Sequence, residues 1–185
     1  MDFTLTEDEK RMLLVTARET IRARLFGGEL SLPRPTEKMT ARCGAFVTIH
    51  KKGHLRGCIG HITGVKPLFN GIQELALSSA FNDPRFPRLT RDEYPNIDIE
   101  ISVLTPLEEI ASPEEVEVGK HGILVQRGFR SGVLLPQVAT EQGWDREEFL
   151  SYTCRKAGLS EDCWKSGETR IQVFSAIVFG EKDGE

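Results

Sequence analysis

The chain begins with apolar positions spaced three and four residues apart, a pattern typical of an amphipathic helix. These positions are Leu13, Leu14, Ala17, Ile21 and Leu25. Thr6 and Glu9 have the spacing of a capping box, and Gly27 and Gly28 interrupt the pattern. We therefore predict a surface helix over residues 7–26, followed by an irregular connection over residues 28–42.

Two segments with alternating apolar positions follow, and this alternation predicts β-strands. They cover residues 44–50 and 54–60, with apolar or small residues at the odd positions of both. A three-residue loop over residues 51–53 keeps these odd positions on one face of a hairpin. In this register Thr48 pairs with Arg56, and the even positions face away from the core.

The next segment predicts a helix and a further strand. Pro67 fits the first turn of a helix, which ends before Pro84 because the residue before a proline disfavours the helical region. Residues 82–87 contain two prolines and predict a stiff loop. Residues 97–103 alternate between apolar and polar side chains, which indicates a strand with one buried and one polar face.

A similar order of elements occurs in the second half of the chain. A hairpin begins at Gly122 and turns at Gly128, and helices begin at Pro136 and Asp145. A final strand is predicted over residues 171–179. The order of hairpin, helices and strand is thus repeated.

This repetition predicts an internal duplication over about residues 44–105 and 122–179, inside one domain that spans residues 1–185. We expect the two repeats to build one largely antiparallel sheet flanked by helices, which is an α+β fold.

Composition and charge narrow the function classes. Of 185 residues, 39% are hydrophobic, and 28 acidic residues exceed 24 basic ones. The resulting net charge of −4 argues against a broad nucleic-acid interface. A small basic patch around Arg85, Arg88 and Arg91 is still compatible with this net charge. The first residues lack signal-peptide features, and no apolar run has the length of a membrane span. We therefore expect a cytoplasmic protein without membrane or nucleic-acid partners.

The four cysteines are Cys43, Cys58, Cys154 and Cys163, and no two form a C-x-x-C motif. In a reducing compartment most of them are expected to be free thiols. Cys154 and Cys163 fit core packing, and Cys43 has no partner of note.

Cys58 is the cysteine whose predicted surroundings favour a reactive thiol. In the predicted register Arg56 and Cys58 leave the same face of the strand, roughly 7 Å apart. A guanidinium at that distance favours the thiolate form of a cysteine. The alternative is that Cys58 is only a small packing residue beneath Phe46.

Two further residues are acid–base candidates. Glu100 lies on the polar face of the predicted 97–103 strand, where it either pairs with Arg56 or acts as a base towards the thiol or a substrate. His121 lies in a glycine-bordered loop and is an acid–base candidate.

The loop at residues 82–87 carries a possible substrate-binding pair. Asp83 is expected to bond the backbone that follows it and so to cap the turn. Arg85 offers a fixed fork of donors for an anion.

No metal or cofactor is expected. His54, Cys58 and His61 suggest a metal site at first, but the alternation places His61 on the other face. Glycine-rich phosphate loops, a serine nucleophile elbow and an H-E-x-x-H motif are all missing from the sequence.

Several short motifs together resemble those of the AMMECR domain family. The central one is Leu-Arg-Gly-Cys-Ile-Gly at residues 55–60. The others are Gly-Ala-Phe-Val-Thr at 44–48, Asp-Pro-Arg-Phe at 83–86, Ile-Ser-Val-Leu-Thr-Pro at 101–106, Gly-Lys-His-Gly at 119–122, Gly-Val-Leu-Leu-Pro-Gln-Val at 132–138, Gly-Trp-Asp at 143–145 and Lys-Ala-Gly-Leu at 156–159.

The resemblance implies an intracellular α+β protein with a larger and a smaller lobe. It also implies an association with a Memo-like protein and a radical-SAM protein, and therefore protein partners. The chain has no three-cysteine cluster motif of its own.

Two functions follow as hypotheses. One is an enzyme in which Cys58 is the nucleophile, Arg56 stabilises the thiolate or a substrate anion, and Glu100 or His121 is the acid–base group. The other is a non-catalytic module that uses the same polar groove, with Arg56 and Arg85, to bind a protein partner.

Overall fold

The computed structural model describes residues 3–183 and contains two compact units. The first unit comprises the residues up to Leu104 together with those from Ile177 onward, and the second is Thr105–Ala176. Each unit combines helices with a four-stranded sheet, so the predicted α+β class is confirmed.

The helices are α1 (Glu7–Phe26), α2 (Leu68–Phe81), α3 (Pro136–Gln142) and α4 (Arg146–Lys156). The strands are β1 (Ala45–Lys51), β2 (His54–His61), β3 (Ile97–Leu104), β4 (Glu108–Glu109), β5 (Gly122–Arg127), β6 (Arg130–Leu134), β7 (Arg170–Phe174) and β8 (Ala176–Gly180).

The predicted first helix is confirmed at both ends. Thr6 and Glu9 exchange the two hydrogen bonds of a capping box, and Gly27 follows the helix with φ of 76°. The buried face of α1 includes Leu13, Leu14, Ala17 and Ile21. The spacing of apolar residues thus set both the length of α1 and the face that it buries.

The sheet of the first unit has the strand order β2-β1-β3-β8. Helices α1 and α2 pack against one face of it, where the odd positions of β1 and β3 are buried. The core formed there includes Val47, Ile49, Ile99, Ile101, Ile21, Ile72 and Leu75. The opposite face carries the polar even positions and is half-buried.

The predicted register of the first hairpin is wrong. The loop has two residues, Lys52 and Gly53, both with positive φ, and His50 pairs with Leu55. A β-bulge at Arg56 then takes up one residue, so that Thr48 pairs with Cys58 and not with Arg56. The apolar or small residues Leu55, Gly57 and Ile59 alternate without a break in the sequence, so the pattern could not reveal the bulge. In the structure Leu55 lies opposite His50 on the polar face and is 42% exposed, which corrects its expected place in the core.

The second unit has its own sheet, with the order β4-β7-β5-β6. The expectation of one sheet for the whole chain is therefore wrong. Both sheets place the first hairpin strand between its partner and a later strand, as β1 lies between β2 and β3 and β5 between β6 and β7. The internal duplication itself stays a prediction.

The predicted strand over residues 171–179 is divided at Ser175. Its first part, β7, belongs to the sheet of the second unit, and its second part, β8, belongs to the sheet of the first. The backbone N–H of Ser175 donates to the Thr105 hydroxyl, and the Thr105 N–H donates to the Ser175 carbonyl. These two bonds satisfy the backbone of Ser175 at the break between β7 and β8, where regular strand pairing stops.

Cys154 and Cys163 form a disulfide, so the expectation that most of the four cysteines are free thiols is wrong. Cys154 lies in the last turns of α4, and Cys163 begins a short 3-10 helix. Their Cα atoms are 5.9 Å apart, within the usual range for a disulfide. Both residues are buried in the core of the second unit, as their apolar surroundings in the sequence indicated.

Candidate functional site

Three polar side chains lie side by side on the half-buried face of the first sheet. Thr48 of β1 pairs with Cys58 of β2 on one side and with Glu100 of β3 on the other. The Thr48 hydroxyl lies 3.2 Å from the Cys58 sulfur, a hydrogen-bonding distance for sulfur. Cys58 is a free thiol. We call Cys58, Thr48 and Glu100 the cysteine row.

The Glu100 carboxylate makes no hydrogen bond or ion pair within residues 3–183, so it is available as a base. Adjacent strands are about 5 Å apart, which places the backbones of Cys58 and Glu100 about 10 Å from each other. At that separation the Glu100 carboxylate does not contact the thiol, and within residues 3–183 the Thr48 hydroxyl is hydrogen-bonded to Cys58 and not to Glu100. Glu100 does not pair with Arg56, which removes one of the two roles predicted for it.

The next row of the same face is already paired. His50 and Asp98 occupy opposite positions, with 3.9 Å between Nδ1 and Oδ2. Lys182 adds a 2.8 Å ion pair to Asp98. Asp98 is therefore contacted by His50 and Lys182, whereas the Glu100 carboxylate makes no such contact within the described residues.

The backbone of Cys58 is held by the loop that follows α2. Its N–H donates a 2.9 Å hydrogen bond to Oδ2 of Asp83, and its carbonyl accepts one of 3.1 Å from Nη2 of Arg85. Since β2 is an edge strand, these bonds occupy backbone groups that would otherwise be open.

Asp83 is buried and strongly hydrogen-bonded. It accepts two bonds from the Arg85 side chain, from Nε at 3.0 Å and from Nη2 at 2.7 Å. It also accepts the Arg85 backbone N–H at 3.0 Å, which confirms the predicted turn. The hydrogen bond from Arg85 is the main reason that the pKa of Asp83 lies far below its ordinary value.

Arg85 retains donors that no protein group uses. Its Nη1 makes no hydrogen bond in the described part of the chain, and the side chain is 55% exposed. The bond to Asp83 is the main cause that raises the pKa of Arg85, with a smaller contribution from Cys58. The guanidinium that contacts Cys58, at its backbone carbonyl, is that of Arg85.

Arg56 does not lie beside the cysteine row, and this part of the prediction is wrong. Its Nε and Nη2 each donate a 3.0 Å bond to Glu93, whose carboxylate also binds Lys51. Lys51 and Thr48 are three positions apart on β1, so they leave opposite faces of the sheet. The bulge turns Arg56 to the face of Lys51, whereas Cys58 contacts Thr48.

The Arg56–Glu93 pair is a buried structural contact. Side-chain exposures are 10% and 16%, and the hydrogen bond from Arg56 is the main cause that holds the pKa of Glu93 well below its usual range. Arg56 consequently braces the bulge, which fixes the register that brings Cys58 to Thr48.

Gly57 and Ser79 explain why β2 and α2 approach so closely. A Cβ atom on Gly57 would lie 2.1 Å from the Ser79 carbonyl oxygen. The Ser79 hydroxyl accepts the Ile59 N–H at 2.9 Å and donates to the Val47 carbonyl at 2.7 Å. The close contact therefore fixes β2 on both sides of Cys58.

His121 lies in the second unit, in the turn before β5. Its Nδ1 accepts the Glu117 backbone N–H at 3.2 Å. The acid–base role proposed for His121 stays a prediction.

The second free thiol, Cys43, differs from Cys58 in its surroundings. Burial raises the pKa of Cys43, and its side chain packs against the hydrophobic core. Among residues 3–183, no three His, Cys, Asp or Glu side chains are grouped as a metal site. Within the same residues no helix has the length and apolar character needed to cross a bilayer.

The sequence analysis missed Glu93 and Ser79. Glu93 follows Arg91 and Asp92 in a charged stretch, where nothing distinguishes it from its exposed neighbours. Ser79 lies on the predicted buried side of α2, and a serine at an otherwise apolar position could have indicated a polar contact with the strands.

Fold and site together define a class: an α+β protein with two sheets, whose first sheet carries a free cysteine held by an Asp-Pro-Arg turn. The model of the AMMECR1 family matches residues 14–179, and the chain belongs to that family.

Similar proteins span nearly the full chain. A protein of Methanothermobacter thermautotrophicus is 49% identical over 96% of this chain and 96% of its own length. Protein MK0488 of Methanopyrus kandleri is 46% identical, over 98% and 92% respectively. The crystal structure of the uncharacterized protein PH0010 from Pyrococcus horikoshii matches with a TM-score of 0.84 and 39% identity, covering 96% of this chain and 94% of that one.

Proposed function

We propose that Cys58 is a nucleophilic thiol and that the cysteine row transfers an acyl-type group from a small substrate or from a protein partner. The observation that carries this proposal is the 3.2 Å contact between the Cys58 sulfur and the Thr48 hydroxyl, with the unpaired Glu100 directly beside Thr48. Such a step uses a nucleophilic thiol and a positioned acid–base group, and Cys58 and Glu100 are the residues to which we assign these roles.

In this step the Cys58 sulfur forms a bond to the carbonyl carbon of the acyl group. This step requires Glu100 to turn towards the Thr48 hydroxyl, which then carries the thiol proton to the carboxylate, and the leaving group departs with that proton. The acyl group remains on sulfur as a thioester until an acceptor removes it. In this proposal an anionic part of the substrate binds to Nη1 of Arg85, which makes no hydrogen bond within residues 3–183.

Asp83 and Arg56 serve this site as positioning residues. Asp83 fixes the backbone of Cys58, and Arg56 fixes the bulge that sets its register. The cytoplasmic location and the pathway with Memo-like and radical-SAM proteins belong to the same proposal, and their support is the family resemblance.

The test uses p-nitrophenyl acetate as an acyl donor and measures the release of nitrophenolate and the mass of the acetylated protein. We expect a stoichiometric burst with the adduct on Cys58, retained in Cys43→Ser and lost in Cys58→Ser. Glu100→Gln should slow the burst about 10-fold or more at neutral pH. Glu29→Gln is the matched control and should leave the rate unchanged.

An adduct on Cys58 that forms no faster than in the urea-unfolded chain would contradict the proposal, as would an unchanged rate in Glu100→Gln. A non-catalytic role of the same face predicts a different result. In that case Cys58→Ser would keep the binding of a partner, whereas Arg85→Gln would lose it.

A further inference from the structure

An arginine-rich depression lies in the first unit, apart from the cysteine row. It has a volume of about 380 Å³ and is lined by Arg24 from the end of α1, by Phe81 from the end of α2, and by Arg88 and Arg91 from the loop that follows. We call Arg24, Arg88 and Arg91 the arginine cluster.

None of the three arginines forms an ion pair within the described residues 3–183. Other arginines of these residues also form none, namely Arg34, Arg42, Arg127, Arg130 and Arg146, so the arginine cluster is distinguished by three such arginines lining one depression. Arg22, half a turn before Arg24, pairs with Glu19. Within residues 3–183 a carboxylate therefore pairs with the neighbouring Arg22 but with no member of the arginine cluster.

Aromatic rings hold the guanidinium groups without using their donors. Arg24 and Arg88 each lie 5.9 Å from the centre of the Phe81 ring, so their separation is at most twice that distance. Arg91 lies 5.7 Å from the centre of the half-exposed Phe26 ring. Such contacts orient a planar guanidinium while its N–H groups stay free.

Structural roles explain the positions of two members of the arginine cluster but not of the third. Arg24 lies in the last turn of α1, where a positive charge interacts favourably with the helix dipole. Nε of Arg91 donates a 2.7 Å bond to the Leu25 carbonyl, near the end of the same helix. Arg88 makes no hydrogen bond in the described chain, and neither role explains its position over Phe81.

We infer that the arginine cluster binds a small ligand through a diphosphate group. Guanidinium groups bind phosphate oxygens in pairs, and three neighbouring positive charges repel one another until an anion of several charges neutralises them. The depression has the size of a small-molecule site, and the net charge of −4 argues against an extended polyanion.

The test titrates the intact protein with inorganic pyrophosphate by calorimetry, and with ADP as the second probe. We expect saturable binding of pyrophosphate that Arg88→Gln and Arg24→Gln each weaken about 10-fold. Arg34→Gln is the matched control, because Arg34 is exposed, lies outside the depression and forms no ion pair in the described chain. It should change the affinity less than about 2-fold.

ADP separates the two sources of a diphosphate. Affinity equal to that of pyrophosphate supports recognition of the diphosphate alone, and higher affinity supports a nucleotide whose base also contacts the site. No saturable binding of either probe, or equal weakening by Arg34→Gln, would overturn the inference. Tighter binding of a random single-stranded oligonucleotide than of pyrophosphate would overturn it as well. Unchanged circular dichroism shows that the variants are folded.

Discussion

Asp83 Oδ2 accepts the backbone N–H of Cys58 at 2.9 Å, across 25 positions of the chain. This bond attaches the loop after α2 to the edge strand β2 at Cys58, in addition to the contacts made by Ser79 and Arg56. The same carboxylate binds Arg85, so the loop, the edge strand and the nearest guanidinium form one connected group.

The first prediction follows from this connection. Asp83→Ala leaves the Cys58 N–H without its partner and releases Arg85, so we expect the free energy of unfolding to fall by about 2–3 kcal/mol. Urea denaturation measures this change. Asp92→Ala is the control, since the Asp92 side chain makes no hydrogen bond or ion pair in the described chain, and a loss as large there would refute the assignment.

The second prediction compares two glycines that differ in the room available for an added methyl group. Gly57→Ala places a methyl group 2.1 Å from the Ser79 carbonyl oxygen, and we expect a loss of at least about 2 kcal/mol. Gly71→Ala meets no atom within 4 Å in helix α2 and should stabilise the protein by about 0.5–1 kcal/mol. Equal effects of the two substitutions on the urea midpoint would show that the contact between β2 at Gly57 and α2 at Ser79 is not rigid.

The third prediction concerns acid stability. The pKa of Glu93 is lowered in the folded protein, so its ion pair stabilises the fold fully above the unfolded value. That contribution decreases as the pH falls below about 4.5, the ordinary value for Glu, and is lost once the pH passes the folded pKa. We expect Glu93→Gln to cost about 2–3 kcal/mol at neutral pH and progressively less in acid.

Unfolding curves from neutral to acidic pH measure this difference. Glu29→Gln serves as the control because the Glu29 carboxylate forms no ion pair in the part of the chain described, and its curve should parallel that of the unchanged protein. A deficit in Glu93→Gln that stays constant down to acidic pH would show that the ionised pair is not its cause.

The fourth prediction concerns the disulfide. Cys154 and Cys163 are nine positions apart, and closing so short a loop restricts the unfolded chain enough to stabilise the fold by about 2–3 kcal/mol. Reduction, or Cys154→Ala with Cys163→Ala, should lower the melting temperature of the second unit. Reductant should leave the double variant unaffected. A melting temperature that does not respond to reductant in the unchanged protein would show that the bond does not form in solution.

Local sequence patterns were sufficient to predict the helices and strands but not to predict how the strands pair. Thr6, Glu9 and the spacing of Leu13 and Ile21 specify α1 completely, because capping and burial are decided within a few residues. The β2 register depends on a bulge at Arg56, which Glu93 holds from 37 positions away. No alternation within the hairpin contains that information.

The site was predicted in the same uneven way. The turn at Asp83 follows from the local chemistry of aspartate and proline, and Cys58 and Glu100 do face the polar side of the sheet. The partner assigned to Cys58 was wrong because its neighbour in sequence, Arg56, is turned away, and its neighbour in space, Arg85, is 27 positions distant. The division at Ser175 likewise arises from a contact with Thr105, 70 positions away.

The most direct test compares the two free thiols of the native protein, Cys58 and Cys43. Iodoacetamide at neutral pH labels thiolates that solvent can reach, and mass spectrometry locates each adduct as it forms. Because burial raises the pKa of Cys43, whereas Cys58 lies on a polar face beside Arg85, we expect Cys58 to be labelled several-fold faster. Labelling of Cys43 at an equal or greater rate, or of neither thiol before unfolding, would contradict a nucleophilic site at Cys58.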